Sequence, residues 1–208
     1  RLVSDWSSDV CSSDLFNFIT SYVGAFALVR GLLAFWFVDG IQFALKDSIG
    51  SIFTVVVFGI SIRVGKPIMF YFLMQGMNPE SPAQEKALKA LLAESKVYGA
   101  LVKSTKILQI VNLGISIANF LLNLQIVVAD FGTVAFNQQV AQVNAMTQIT
   151  FTLLAFVAAG LAAVLIRRAM FYYLPQEPDK AQDESDFWDL LNLRDRQRLA
   201  ASSDRDSG

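Results

Sequence analysis

The chain contains 208 residues, of which 54% are apolar and 12% are aromatic, and its formal net charge is −1. This composition, with 17 phenylalanines and a positive mean hydropathy, is too apolar for an ordinary soluble domain and predicts an all-α integral membrane protein. The chain has no histidine and no glycine-rich phosphate loop, which excludes Ser-His-Asp triads, histidine-bound zinc and Walker-type nucleotide sites. We therefore predict no enzymatic activity, no catalytic or metal-binding residues and no cofactor.

The first 15 residues differ in character from everything that follows. The run DWSSDVCSSDL, from Asp5 to Leu15, resembles the in-frame translation of a common short-read sequencing adapter. The resemblance implies that residues 1–15, which hold the only cysteine, Cys11, are not native. We therefore expect a metagenomic fragment that has lost native N-terminal sequence, and we expect residues 1–15 to make no specific contacts with the helices.

Four apolar stretches approach the roughly 20 residues that a membrane-crossing helix needs. We predict a transmembrane domain over residues 16–175, with about four helices packed as a bundle. The predicted spans cover residues 16–37, 45–62, 107–128 and 149–166. The second span could run on to Met74, but two cations would then lie inside the membrane, so a break at Gly65 and Pro67 is favoured.

Lysine and arginine are distributed unequally between the predicted loops. Seven lie between Arg63 and Lys106 and seven more follow from Arg167 onward, whereas the opposite side carries only Lys46. Cytoplasmic loops carry the excess of positive charge in most membrane proteins. We therefore expect both ends of the fragment to lie in the cytoplasm, and the short loops favour a bacterial inner membrane.

The loop between the second and third spans contains a helix start signal. Ser81 is a predicted N-cap, followed by Pro82 and Gln84 at positions that suit the first turn of a helix. We predict a cytoplasmic amphipathic helix over residues 82–98, which could continue almost directly into the third span with Gly99 as its weak point.

The C-terminal segment, residues 176–208, is polar and acidic and is predicted to be a disordered cytoplasmic tail. Within it, Ser185 could cap a short helix over residues 186–199 that carries four large apolar side chains in its first six residues. Such a helix would suit docking onto the rest of the chain. These four side chains are Phe187, Trp188, Leu190 and Leu191.

Polar side chains recur along the third span at alternating steps of three and four, which places them on one helix face. The polar stripe comprises Gln109, Asn112, Ser116, Asn119 and Asn123, extended by Lys106 at the inner end and Asp130 at the outer end. Unpaired polar groups are costly in hydrocarbon, so this face must be turned away from lipid. It either joins helices through interhelical hydrogen bonds, which is the favoured interpretation, or lines a hydrated pathway for an ion or small solute.

Two further patterns lie in the first and fourth spans. Arg30 is an intramembrane charge that requires a partner on another helix, because Asp39 is nine residues away; a later start of the span would instead make it an interfacial anchor. The fourth span carries small residues at close spacing, which predicts helix packing against this chain or another. These residues are Ala155, Ala159, Gly160 and Ala163.

Together these patterns predict a structural or channel-like subunit of a membrane assembly. Its expected partners are the lipid bilayer and other membrane subunits or copies of itself, and the acidic tail argues against nucleic acid. A small transporter or ion-conducting protein is the alternative. An inner-membrane component of a secretion or conjugation apparatus is a weaker one, since no motif supports it.

Overall fold

A computed structural model describes residues 12–36, 40–176 and 186–206 of the chain, and within these ranges the protein is helical without any β-strand. Residues 1–11 of the adapter-like segment and Asp39 lie outside the described residues. The seven helices are α1 (Ser12–Trp36), α2 (Gly40–Arg63), α3 (Ile68–Met77), α4 (Pro82–Leu92), α5 (Ser95–Ile126), α6 (Val134–Phe171) and α7 (Phe187–Asp206).

Three helices are long and apolar enough to cross a membrane, namely Ile41–Arg63 of α2, Ser95–Ile126 of α5 and Val134–Phe171 of α6. The predicted four-helix bundle is not confirmed. α1, over Ser12–Trp36, contains the apolar stretch Thr20–Leu33 and is not among these three helices. α1 packs against α2, where the hydroxyl groups of Tyr22 and Thr54 are 2.8 Å apart.

The break predicted after the second span is confirmed. α2 ends at Arg63 and α3 begins at Ile68. Gly65 has a φ of +76°, which glycine adopts without the steric cost that a side chain brings. The Ser61 hydroxyl group accepts a hydrogen bond from the backbone N–H of Ile68 at 3.1 Å, and so stabilises the start of α3. The longer single span to Met74 is therefore not formed.

α5 is antiparallel to both α2 and α6, and three hydrogen bonds fix the register. Gln109 Nε2 donates to the carbonyl oxygen of Val55 at 2.9 Å, and Ser116 Oγ donates to that of Ser48 at 3.3 Å. The positions in each pair add up to 164, so residues 45–62 of α2 lie opposite residues 102–119 of α5. Ser104 Oγ donates to the carbonyl oxygen of Ala162 in α6 at 3.2 Å.

The hydrogen-bond register also shows which residues of α5 lie opposite the predicted spans of its two neighbours. A pairing centred on Ser104 and Ala162 places residues 149–166 of α6 opposite residues 100–117 of α5. The predicted spans of α2 and α6 thus lie opposite residues 100–119 of α5, which overlap its predicted span of 107–128 only in part. Hydrophobicity along α5 alone does not give this register, because register is a tertiary property.

The main core lies at one end of the long helices, where α3, α4 and α7 pack around the start of α5 and the end of α6; we call this the α3–α4–α7 module. Ser81 caps α4 as predicted, since its hydroxyl oxygen accepts from the Gln84 backbone N–H at 3.2 Å. The predicted helix over 82–98 is interrupted, because α4 ends at Leu92 and α5 begins at Ser95. The break falls at Glu94, whose ψ of 138° is extended, and not at Gly99.

The C-terminal segment is more ordered than predicted. α7 extends over Phe187–Asp206, where a disordered tail with a shorter helix over 186–199 was expected. Asp186 caps it, since its Oδ1 accepts from the Trp188 backbone N–H at 2.7 Å; the predicted cap, Ser185, lies outside the described residues. Leu190 and Leu191 are fully buried in the core of the module, and this burial stabilises the helix against its polar composition.

Candidate functional site

The polar stripe of α5 is the candidate site, and two of its members join α5 to α2. Gln109 and Ser116 donate to backbone carbonyl groups of α2, at the distances given above. Each acceptor carbonyl belongs to a helix, so the side chain uses the second lone pair of an oxygen atom that is already bonded. The two bonds lie two turns apart and hold the same pair of helices.

Gly59 of α2 makes the Gln109 contact possible. A Cβ atom at position 59 would lie 2.9 Å from Gln109 Nε2, closer than real Cβ contacts occur. The missing side chain thus leaves space for the amide group to reach the backbone of α2. Sequence reasoning missed this residue, because a glycine inside an apolar span has no visible role until the register between α2 and α5 is known.

Asn123 marks the buried end of the stripe. Its side chain is 1% exposed, and its Nδ2 donates to the Asn119 carbonyl oxygen at 2.9 Å, with Asn119 Oδ1 at 3.4 Å. Its own Oδ1 is buried and has no hydrogen-bond partner among the described residues. Near this end α2 and α6 are in contact, since the rings of Phe43 and Phe136 meet edge to face with their centroids 5.1 Å apart.

Asn112 and Asn119 are less deeply buried than Asn123. Because successive residues in a helix turn by about 100°, both lie on the side of α5 between its α2-facing and α6-facing sides. Asn112 Nδ2 donates to the Leu108 carbonyl oxygen of its own helix at 2.9 Å. Among the described residues, the hydrogen bonds of these two amides thus stay within α5, and this part of the stripe does not join helices directly.

The two end residues of the polar stripe do not connect α5 to another helix. Lys106 and Asp130 are both exposed. Asp130 lies in the turn between α5 and α6, where its carbonyl oxygen accepts from the hydroxyl group of Thr133 at 2.7 Å, and Thr133 in turn caps α6. Of the seven predicted positions, Gln109 and Ser116 are therefore the ones whose side chains bond to another helix in the described part of the chain.

The predicted packing face of α6 is turned outward in this chain. Ala155, Ala159, Gly160 and Ala163 are exposed. The small residues that pack against α5 are instead Ala158 and Ala162, which are buried one position away. A shift of one residue turns a helix by about 100°, so spacing identified small residues correctly but could not say which side meets α5. Contact with another chain remains a prediction for the outward residues.

The two intramembrane charges predicted for the first span are Arg30 and Asp39. Asp39 lies outside the described residues, and the backbone of Arg30 belongs to α1 while its side chain is not described. No group of three Asp, Glu or Cys side chains that could hold a metal ion occurs within the described ranges.

An ion-pair cluster at the α4–α5 break was not predicted. Glu94 Oε1 lies 2.5 Å from Arg194 Nη2 and 3.0 Å from Arg198 Nη2, so two arginines of α7 share one carboxylate. The Arg194 side chain is 7% exposed, and burial lowers the pKa of its guanidinium group from the ordinary value. One hundred residues separate Arg194 from Glu94, and no local sequence pattern could have paired them.

With this geometry established, the chain was compared with known proteins. Comparison with protein-family models, with curated proteins and with solved structures gave no significant match. The function must therefore be inferred from the arrangement of the helices and their polar side chains.

Proposed function

We propose that the chain is a structural subunit of a membrane assembly, in which the polar stripe of α5 joins helices within the chain. The hydrogen bonds from Gln109 and Ser116 to carbonyl groups of α2 carry this proposal. An amide or hydroxyl group that bonds to a neighbouring helix stabilises their association, typically by about 1 kcal/mol. A group occupied in this way is poorly placed to replace the water shell of a passing ion.

The outward surfaces of the long helices support a role in assembly. Only 11% of the most apolar part of α5 and 17% of that of α6 are buried within the chain. Phe156, Val157 and Leu161 of α6 are among the large apolar side chains that stay exposed. Beside them the small residues Ala155, Ala159 and Ala163 would let another helix approach closely. We therefore propose that this side of α6 contacts another chain.

The membrane orientation is part of the same proposal. The module end of the helices carries Arg63 of α2, Lys103 of α5 and Arg167 of α6. By the positive-inside rule this end faces the cytoplasm, and the turn that contains Asp130 lies on the opposite side. A bacterial inner membrane remains the proposed location.

A second candidate function is an ion-conducting or transport role. Asn112 and Asn119 favour it, since they are partly exposed and their side chains form no hydrogen bond to another helix within the described part of the chain. Such amides could line a hydrated groove between α2 and α6. The joining of α2 and α6 by Phe43 and Phe136 at one end of this groove argues against an open route.

Photocrosslinking tests the proposed assembly surface. A photoreactive phenylalanine analogue at Ala159 is expected to give a discrete protein crosslink in membranes, because this position lies on the outward small-residue side of α6. The same analogue at Ile110, an exposed position on α5, is the matched control and is expected to react with lipid. A product of twice the 23.0 kDa protomer mass identifies a second copy, and another discrete mass identifies a different subunit. Lipid adducts alone at both positions would contradict the proposal.

A further inference from the structure

Six exposed cations of three helices lie at one level along the helix axes; we call them the cationic collar. They come from the end of α2, the first three turns of α5 and the end of α6. The collar consists of Arg63, Lys96, Lys103, Lys106, Arg167 and Arg168.

The hydrogen-bond register shows that these residues share a level along the helix axes. Arg63 of α2 lies opposite position 101 of α5, and Arg167 of α6 lies opposite position 99. The collar residues of α5 itself extend from Lys96 to Lys106. Ten residues of helix rise by about 15 Å, so the whole collar falls within a band of that height.

The helix segments that carry the collar contain few acidic residues, and the nearest ones in the sequence are Glu94 and the acidic run over residues 177–186. Residues 48–79, 95–129 and 131–176 contain no aspartate or glutamate. The nearest acidic side chains of the module already have partners, since Glu85 pairs with Lys89 at 2.8 Å and Glu94 pairs with the two arginines of α7. Within the described ranges, no collar residue forms a salt bridge. A band of exposed cations of this kind attracts anions.

The collar also lies at the boundary of two different surfaces. On one side is the exposed apolar surface of α5 and α6, which includes Ile110, Leu113 and Leu161. On the other side is the α3–α4–α7 module. Lys96 Nζ lies 3.2 Å above the centroid of the Tyr172 ring, so a cation and an aromatic side chain meet at this boundary. Amphipathic aromatic side chains and long cations typically occupy the headgroup region of a bilayer.

We infer that the cationic collar binds the phosphate headgroups of acidic phospholipids. The apolar belt beside it holds the acyl chains, and the six exposed cations select a headgroup of net negative charge over a zwitterionic one. This inference goes beyond the proposed structural role and requires only that the long helices lie in a membrane. It holds whether or not the outward side of α6 contacts another chain.

Native mass spectrometry of the full chain, released from mixed phosphatidylglycerol and phosphatidylcholine micelles, tests the inference. We expect the protein to retain phosphatidylglycerol at least ~10-fold over phosphatidylcholine, since several cations act together. The double variants Lys103→Gln with Lys106→Gln, and Arg167→Gln with Arg168→Gln, should each lose most of this preference. The matched control is Lys86→Gln with Lys89→Gln, which removes the same charge from α4, outside the collar, and should keep the preference.

Three results would overturn the inference. The first is no preference for phosphatidylglycerol in the unchanged protein, as expected if another anionic group neutralises the collar. The second is an equal loss in the α4 control, which would show that only net charge matters. The third is full displacement of the retained lipid by inorganic phosphate, which would indicate a site for free phosphate. Circular dichroism on each variant checks that helical content is preserved.

Discussion

Replacing Glu94 by alanine should destabilise the α3–α4–α7 module by about 3–5 kcal/mol, because it leaves a buried guanidinium group without its partner. Arg194 is 6% exposed, and its Nη1 is buried without a hydrogen-bond partner among the described residues, so it depends on Glu94 for its charge compensation. The side chain of Arg198 is 56% exposed, so water can solvate its charge when Glu94 is removed. Loss of the Arg198–Glu94 ion pair therefore costs far less stability than loss of the Arg194–Glu94 pair. Thermal unfolding in detergent, followed by Trp188 fluorescence, measures the change.

A second substitution separates the ion pair from general disruption. Arg194→Met removes the buried charge and keeps an apolar side chain of similar length, so Glu94→Ala combined with Arg194→Met should recover most of the lost stability. Arg198→Met is the matched control and should recover little in the Glu94→Ala background. A double variant as unstable as Glu94→Ala alone would show that Glu94 acts through something other than Arg194.

Replacing Gly59 by leucine should weaken the contact between α2 and α5 by about 1–3 kcal/mol, the usual cost of overpacking a close contact. Even a Cβ atom would approach Gln109 Nε2 to 2.9 Å, so a larger side chain must push the amide away from the Val55 carbonyl group. Gly114→Leu on α5 is the matched control, since a Cβ atom there meets nothing within 4 Å. Unfolding in mixed micelles of increasing denaturing detergent measures the difference.

A second variant tests whether the clash between position 59 and the Gln109 amide causes the loss of stability in Gly59→Leu. Combining Gly59→Ala with Gln109→Ala removes both the bulk and the amide, and should be more stable than Gly59→Leu. If Gly59→Leu and Gly114→Leu destabilise the protein equally, Gly59 has no special role in the contact between the two helices.

Local features of the fold were predictable because their causes are local. Ser81 and Gln84 mark the start of α4 by capping chemistry, and Gly65 with Pro67 marks the end of α2. The helix break at Glu94 was not predictable in this way. Neither Ala93 nor Ser95, its neighbours, is a glycine or a proline, so no helix-breaking residue marks the position. The arginines that pair with Glu94 lie about 100 residues further along the chain.

In the candidate site, the periodicity of the sequence predicts which residues share a helix face, but it does not predict which neighbouring helix that face contacts. The three-and-four spacing placed Gln109 and Ser116 on one face of α5, and both do bond to α2. Periodicity could not show that Lys106 is exposed or that Ala158 and Ala162, rather than Ala159 and Ala163, pack against α5. These outcomes depend on how far each helix is rotated and shifted against its neighbour.

Thiol labelling at Asn112 distinguishes a joining role of the polar stripe from a conducting one. Asn112 lies opposite position 52 of α2, near the middle of that helix, whereas Asn123 lies near its end, where a reagent could arrive without a pathway. With Cys11→Ser as background, cysteine at Asn112 should react with a water-soluble maleimide at least ~10-fold more slowly than cysteine at exposed Asp130, because a purely structural stripe leaves no water-filled groove beside this position inside the membrane. Equally fast labelling at both positions would contradict a purely structural role of the stripe and establish a hydrated route along α5.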